Sequence, residues 1–264
     1  MRGTRLLALL VLAAAVHGQT PEMLEKARLV AINYTKSLPD FICTEVIHRY
    51  ETYRTNMMPR ETDVLTLQLG YFQMHESYKM VSRNGKPSDQ SLESIGGAFS
   101  MGEFGSKLLL IFHPVSKTAF EFKKLGTIGS RRVAIYSYRI ERENSKFELR
   151  TGVSGVVAGY HGDVYIDTET HLVLRTENVI DVPAGFPVEY SRDKSEYAYV
   201  KVAGRQILLP VRCESWAADA LQRPMTNSRF TPEAYQVHYH NVIDFKNYRK
   251  YEAQSTLSFD PPKQ

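Results

Sequence analysis

Four residues of this chain have side chains and spacings that could bind a metal ion. His238 and His240 are two residues apart, as are His161 and Asp163, and each pair lies in a segment with strand patterning. Side chains two apart on a strand project from the same face, and imidazole and carboxylate groups are ligands that zinc accepts in proteins. The four residues are therefore candidate zinc ligands of a secreted, metal-dependent hydrolase.

The same alternation also fits an ordinary strand with one solvent-exposed face. Tyr235, Val237 and Tyr239 occupy positions that alternate with the two histidines and would supply the buried side of such a strand. In this interpretation His238 and His240 face water and bind nothing. The pattern leaves both interpretations open.

Two glycine-bearing segments lack the residues that nucleophilic or nucleotide chemistry requires. Residues 152–155 read Gly-Val-Ser-Gly, but a nucleophile elbow needs glycine two places after the serine, where Val156 stands. Residues 96–105 are rich in glycine but lack the Gly-Lys-Ser/Thr of a phosphate-binding loop. We therefore assign no catalytic residue and no cofactor, and this favours a protein that is not an enzyme.

The two cysteines, Cys43 and Cys213, are candidates for a disulfide. An exported protein with two cysteines folds in an oxidising compartment, which permits such a bond. Cys213 alternates with Leu209 and Val211, and Cys43 lies in an apolar run, so we expect both side chains in the core. Two buried thiols, which pack like small hydrophobic groups, are the equally acceptable alternative.

The first eighteen residues have the pattern of a secretory signal peptide. Arg2 and Arg5 precede the apolar run from Leu6 to Val16, and small Gly18 stands at the expected cleavage site. The run is shorter than the roughly 20 apolar residues that a membrane span needs. We expect a mature protein that begins near Gln19, has no transmembrane span, and is periplasmic or secreted.

Size and charge indicate one domain and exclude some partners. Residues 19–264 have a length typical of a single large β domain. The full chain has 33 basic and 29 acidic residues, a formal charge of +4. Removing the signal lowers this to about +2, too little to favour binding to nucleic acid.

The hydrophobic periodicity predicts a mainly β protein with few helices. A helix is expected over Pro21–Ser37 and a short one over Ser106–Phe112, while Asn84-Gly85 is typical of a two-residue hairpin turn. About eleven strands are expected between and after them. Among these we expect separate strands over Val64–Leu69 and Tyr71–Val81, and a final strand over Tyr251–Phe259.

Such a succession of strands favours an antiparallel sheet that must curl or close to cover its edges. The serine- and glycine-rich segment from Ser88 to Gly105 interrupts it and is either a flap or a solvated connector.

Several segments carry a resemblance to a known superfamily. They are Gly162-Asp163-Val164-Tyr165-Ile166-Asp167 with Leu172-Val173-Leu174-Arg175, Ile207-Leu208-Leu209-Pro210-Val211, and Asp244-Phe245-Lys246-Asn247-Tyr248-Arg249 with Thr256-Leu257-Ser258-Phe259. With the export signal and the N-terminal helix, they make the chain similar to the LolA/LolB lipoprotein carriers and RseB-type sensor domains, especially the outer-membrane lipoprotein-sorting branch. The resemblance implies a strongly curved, half-open barrel whose concave side is covered by helices. It assigns no site residue.

Three hypotheses about function follow. The first is a non-catalytic binding protein of the bacterial cell envelope that holds a lipid, a lipoprotein acyl chain or another hydrophobic partner. The second is the metal-dependent hydrolase, and the third is an envelope scaffold without a small ligand. Carrier and scaffold would differ in whether the curved sheet encloses an open apolar cavity.

Overall fold

The computed structural model describes most of the chain and contains three α-helices in that part. The described residues are 14–53, 58–99, 102, 104, 106–151, 154–220, 223–224 and 234–251. The helices are α1 Ala14–Ser37, α2 Leu92–Ile95 and α3 Ser106–Phe112.

Helix α1 forms where its apolar residues recur at helical spacing. Ala27, Ala31 and Tyr34 are buried on one face, three and four residues apart, as an amphipathic helix requires. The helix begins earlier than predicted, so Pro21 lies inside it. It ends at Ser37, two residues before Pro39, because the residue preceding a proline disfavours helical geometry.

Strands make up most of the described structure. They are β1 Phe41–Thr52, β2 Arg60–Phe72, β3 His75–Arg83, β4 Lys86–Pro87, β5 Ala119–Ile128, β6 Arg131–Ile140, β7 Glu148–Thr151, β8 Ser154–Val157, β9 Gly159–Asp167, β10 Val173–Asp181, β11 Val188–Val202, β12 Arg205–Asp219, β13 Arg223–Pro224, β14 Ala234–Tyr235 and β15 His238–Lys250.

Eleven of these strands form one antiparallel sheet in the order β4-β3-β2-β1-β15-β12-β11-β10-β9-β6-β5. The last strand of the sheet in sequence, β15, lies between β1 and β12 and joins two meanders. Strands β4 and β5 lie at opposite edges, so the sheet does not close into a barrel. The predicted fold class, a mainly β protein with a curved, half-open antiparallel sheet, is confirmed.

One face of the sheet, here called the inner face, carries the hydrophobic core. Strand β1 alternates strictly, with Phe41, Cys43 and Ile47 buried on the inner face. Helices α1 and α3 cover a cluster on β6, β9 and β10, and Leu92, Ile95, Phe99 and Phe104 pack in a second cluster on β1, β2 and β15. Leu38, just after α1, packs against both clusters.

The predicted break between two strands at Gly70 is wrong. Strand β2 runs through it, and the turn comes at Gln73 and Met74, with φ of 49° and 65°. Neither is glycine, so no turn signal marked the position. The Asn84-Gly85 turn is confirmed, because both residues have the positive φ that a type I′ turn needs. The predicted final strand lies outside the described residues apart from Tyr251, which is not in a strand.

We expect Gly162→Ala to destabilise the protein by about 3 kcal/mol, because it forces backbone movement in a buried sheet. A Cβ at Gly162 would lie 1.8 Å from the carbonyl oxygen of Glu177 on the neighbouring strand. Urea unfolding of the two proteins measures the difference. Gly126→Ala is the matched control, because its Cβ meets first the flexible end of Ile135, at 3.1 Å. Equal unfolding free energies for the two variants would contradict this account of Gly162.

Candidate functional site

A cavity of about 700 Å³ lies beside the C-terminal end of α1, between this helix and the hairpin formed by β11 and β12. Its apolar lining comes from three separate parts of the chain and consists of Leu38, Pro39, Leu172, Val202, Ala203, Ile207 and Leu208. Its volume lies within the range of about 300–1,000 Å³ that is typical of small-molecule sites.

Tyrosines and a helix end shape one side of this cavity. The hydroxyl of buried Tyr34 donates a hydrogen bond to the backbone oxygen of Leu208 at 2.7 Å, which fixes α1 against β12. Burial raises the pKa of Tyr34 well above its ordinary value, so the hydroxyl remains a donor. Tyr199 and Tyr251 also line the cavity. Tyrosine presents a large apolar ring with a polar tip, and this suits a ligand with apolar and polar parts.

Asp40 holds together the chain segments that form the mouth. Its carboxylate accepts a hydrogen bond from the backbone nitrogen of Gln73 at 2.9 Å. Its backbone oxygen accepts one from the nitrogen of Tyr251 at 3.1 Å. The end of α1, the β2–β3 turn and the end of β15 therefore meet at one point. Arg205 and Lys250 also line the cavity and are exposed.

The described residues between 92 and 104, which are 92–99, 102 and 104, are here called the covering segment, and hydrogen bonds attach this segment to the inner face. Arg49 on β1 donates a hydrogen bond to the oxygen of Gly96 at 2.6 Å, and Asn241 on β15 donates one to the oxygen of Ala98 at 2.7 Å. At the other end, Glu76 accepts a hydrogen bond from the nitrogen of Phe104 at 3.1 Å.

Apolar contacts hold the same segment down. The ring of Phe104 is fully buried and packs within 5.2 Å of Phe41 and 5.0 Å of Phe245. The guanidinium group of Arg49 lies 5.1 Å from the centre of the Phe99 ring. These contacts place the rings of Phe99 and Phe104 against the inner face of the sheet.

The buried ion pair between Arg49 and Asp63 positions the arginine that binds the covering segment. Arg49 donates two hydrogen bonds to the carboxylate, at 2.6 Å and 2.7 Å, and Arg83 donates a third at 2.8 Å. Burial by itself would raise the pKa of Asp63, but the two guanidinium groups outweigh it and hold the pKa below its ordinary value. The carboxylate thus remains charged in the folded protein at neutral pH.

A second polar cluster joins α3 to the sheet. The ammonium group of Lys107 contacts Asp193 at 2.6 Å and Ser195 at 3.0 Å. Asn178 donates to the same carboxylate at 2.7 Å and accepts from Tyr138. These contacts fix the short helix over the inner face, since seven residues have little helical stability of their own.

The four predicted metal ligands do not come together. His161 and Asp163 lie on β9, whereas His238 and His240 lie on β15, and strands β10, β11 and β12 separate them. At roughly 4.8 Å between neighbouring strands, the two pairs are about 19 Å apart. No group of three or more histidine, cysteine, aspartate or glutamate residues within the described ranges is arranged to hold a metal ion.

Each of these histidines has a different neighbour on the outer face of the sheet. The Nδ1 atom of His161 lies 2.8 Å from Asp181, and His238 lies 3.2 Å from the hydroxyl of Tyr190. The ring of His240 stacks on Trp216, with centres 4.9 Å apart. These contacts agree with the interpretation in which His238 and His240 lie on the solvent-exposed face of their strand.

Cys43 and Cys213 are free thiols and do not form a disulfide. Cys43 lies on β1 and Cys213 on β12, with β15 between them. Two strand spacings amount to about 9.6 Å, whereas bonded cysteines have Cα atoms within about 7 Å. Both side chains are buried, as expected, and burial raises the pKa of the Cys43 thiol.

Sequence reasoning did not identify Arg49, Asp63 or Lys107. One signal was present for Arg49, which continues the inward alternation of Phe41, Cys43 and Ile47 on β1. A charge at an inward strand position predicts a buried partner. The cavity left no comparable signal, since its walls come from distant parts of the chain.

Comparisons with known proteins concern the fold. No family model matches the sequence, and no curated protein matches it. Among solved structures, a LolA superfamily protein from Nitrosomonas europaea is similar at 8% identity and a TM-score of 0.39, covering 89% of this chain and 94% of that one. A DUF1329 family protein from Desulfovibrio piger is similar at 10% identity and 0.38, with the same coverage.

A third solved structure, a domain from Vibrio parahaemolyticus described as an outer membrane lipoprotein-sorting protein, is 13% identical with a TM-score of 0.38. It aligns over 87% of this chain and 92% of its own. Within the described residues, no helix is long and apolar enough to cross a membrane.

We expect Asp63→Asn to destabilise the protein by about 3 kcal/mol at pH 7, because it leaves the buried guanidinium group of Arg49 without a counter-charge. The pKa of Asp63 is lowered in the folded state. Its contribution to stability is therefore complete above the unfolded pKa of about 4 and is lost as the pH falls through the folded pKa. Urea unfolding at pH 7 and at low pH measures both effects.

The control for this prediction is Asp181→Asn, which removes a carboxylate that is more than one-third exposed and contacts Arg139 and His161. Exposed ion pairs contribute less than about 1 kcal/mol. A similar loss for the two variants, or a pH-independent loss for Asp63→Asn, would contradict the role given to Asp63.

Proposed function

We propose that this chain is an exported, non-catalytic binding protein that holds the apolar part of a lipid or of an acylated partner. The observation that carries the proposal is the open cavity at the end of α1. It has an apolar floor formed by buried Val202 and Leu208 and a rim of polar and charged residues. A site with these properties suits a ligand that has a long apolar part and one polar end.

Burial of a hydrocarbon chain in such a cavity provides enough free energy to bind an amphiphilic ligand. Burial of hydrocarbon contributes about 0.8 kcal/mol per methylene group. Eight buried methylenes would therefore contribute roughly 6 kcal/mol before the entropic cost of association is subtracted. No reactive group is needed for this, in agreement with the lack of a catalytic motif in the sequence.

The cavity also favours the carrier hypothesis over its two alternatives. A scaffold protein needs no open apolar cavity of about 700 Å³. A hydrolase using His161, Asp163, His238 and His240 would need these residues at one site, and they lie on strands β9 and β15.

Tryptophan substitution tests the cavity. We expect Leu172→Trp to weaken binding of a fluorescent fatty acid about tenfold, because a larger side chain in the wall excludes about two methylenes of the ligand. Leu172 is half-buried in the cavity wall. Val179→Trp is the matched control, since Val179 is exposed and lies outside this cavity. Equal affinity in both variants, or a wild-type protein that takes up no fatty acid, would refute the site.

The sequence of residues 1–18 supports export of the protein. We expect the intact mass of protein purified from the periplasm of a bacterial host to match a chain that starts at Gln19, because signal peptidase cleaves after small residues such as Gly18. Gly18→Tyr is expected to leave the precursor uncut. A full-length wild-type mass in that fraction would overturn the assignment of residues 1–18.

A further inference from the structure

We infer that the cavity at the end of α1 selects an anionic amphiphile, with a carboxylate or phosphate headgroup bound between Arg205 and Lys250. This inference rests on the proposed function, because it takes the apolar cavity as the site of the ligand's hydrocarbon chain. It adds the chemical class of the other end of the ligand.

The mouth of the cavity carries more positive than negative charge. Arg205 begins β12, and Lys250 ends β15, and both line the cavity. Lys201 lies directly across the hairpin from Gln206, another lining residue. The lining contains one carboxylate, that of Asp40, and it already accepts a hydrogen bond from Gln73.

The cations at the mouth differ from those on the outer face of the sheet. There Arg175 pairs with Glu196 at 2.9 Å, and Lys194 pairs with Glu214 at 3.2 Å. In the described part of the chain, no carboxylate lies within ion-pairing distance of Arg205 or Lys250. Among the described residues these two charges are therefore unpaired, as a site for an external anion requires.

The order of groups from floor to rim matches an amphiphile. Leu208 and Val202 are buried at the floor, whereas Arg205, Gln206 and Lys250 are exposed at the rim. A hydrocarbon chain in contact with the floor would place its headgroup among nitrogen donors. Two cations flanking a headgroup give charge-assisted hydrogen bonds, which are stronger than neutral ones.

The test compares hexadecanoic acid with its methyl ester, which has the same chain but no charge. Each competes with a neutral, apolar fluorescent dye for the wild-type protein and for the double variant Arg205→Gln, Lys250→Gln. We expect the acid to bind the wild type about tenfold more tightly than the double variant, as two exposed ion pairs allow. The ester should bind both proteins equally, and sodium acetate should displace no dye.

The matched control is the double variant Lys124→Gln, Arg132→Gln, which removes the same charge from exposed positions on β5 and β6. It should bind the acid as the wild type does. Equal binding of acid and ester by the wild type, or equal loss in both double variants, would overturn the headgroup assignment while leaving the proposed function intact. If neither acid nor ester bound, the proposed function itself would fail. Displacement by acetate would point to a free anion as the ligand.

Discussion

The structure depends on the position of β15 between β1 and β12. One group of strands, β1–β4, and a second group, β5, β6 and β9–β12, each pair locally, and this strand joins the two groups into one sheet. Each of its neighbours contributes a long antiparallel ladder, so Ile243 pairs with Ile47 on one side and with Cys213 on the other. Because the contacts between β15 and β1 join residues about two hundred positions apart, folding must close a long loop before it gains them.

This arrangement explains how the site is assembled. Strand β15 brings Asn241 beside the covering segment and brings Tyr251 to Asp40, at the mouth of the cavity. Helix α1 completes the wall through the hydrogen bond from Tyr34 to Leu208. The cavity is thus formed where the C-terminal end of α1, Leu172, the β11–β12 hairpin and the end of β15 meet.

The two faces of the sheet differ in how their polar and charged side chains are stabilised. On the inner face, charged groups such as Arg49, Asp63 and Lys107 form hydrogen bonds with oppositely charged partners. These partners are needed because burying an unpaired charge costs free energy. On the outer face, ion pairs and stacked rings cover the strands, as for Trp216 and His240. The cavity at the end of α1 combines an apolar lining with the exposed cations Arg205 and Lys250, and the functional proposals therefore concern it.

The sequence predicts the local elements, because periodicity and turn chemistry act within a few residues. The strand at Phe41, helix α3 and the Asn84-Gly85 turn follow from such short-range patterns. It could not locate the turn at Gln73 and Met74, where tertiary contacts impose a conformation that the residues do not favour. Tertiary structure alone decided that β15 enters the centre of the sheet, that the metal-ligand pairs lie on separate strands, and that distant residues enclose a cavity. Those outcomes depend on strand order, which alternating side chains do not encode.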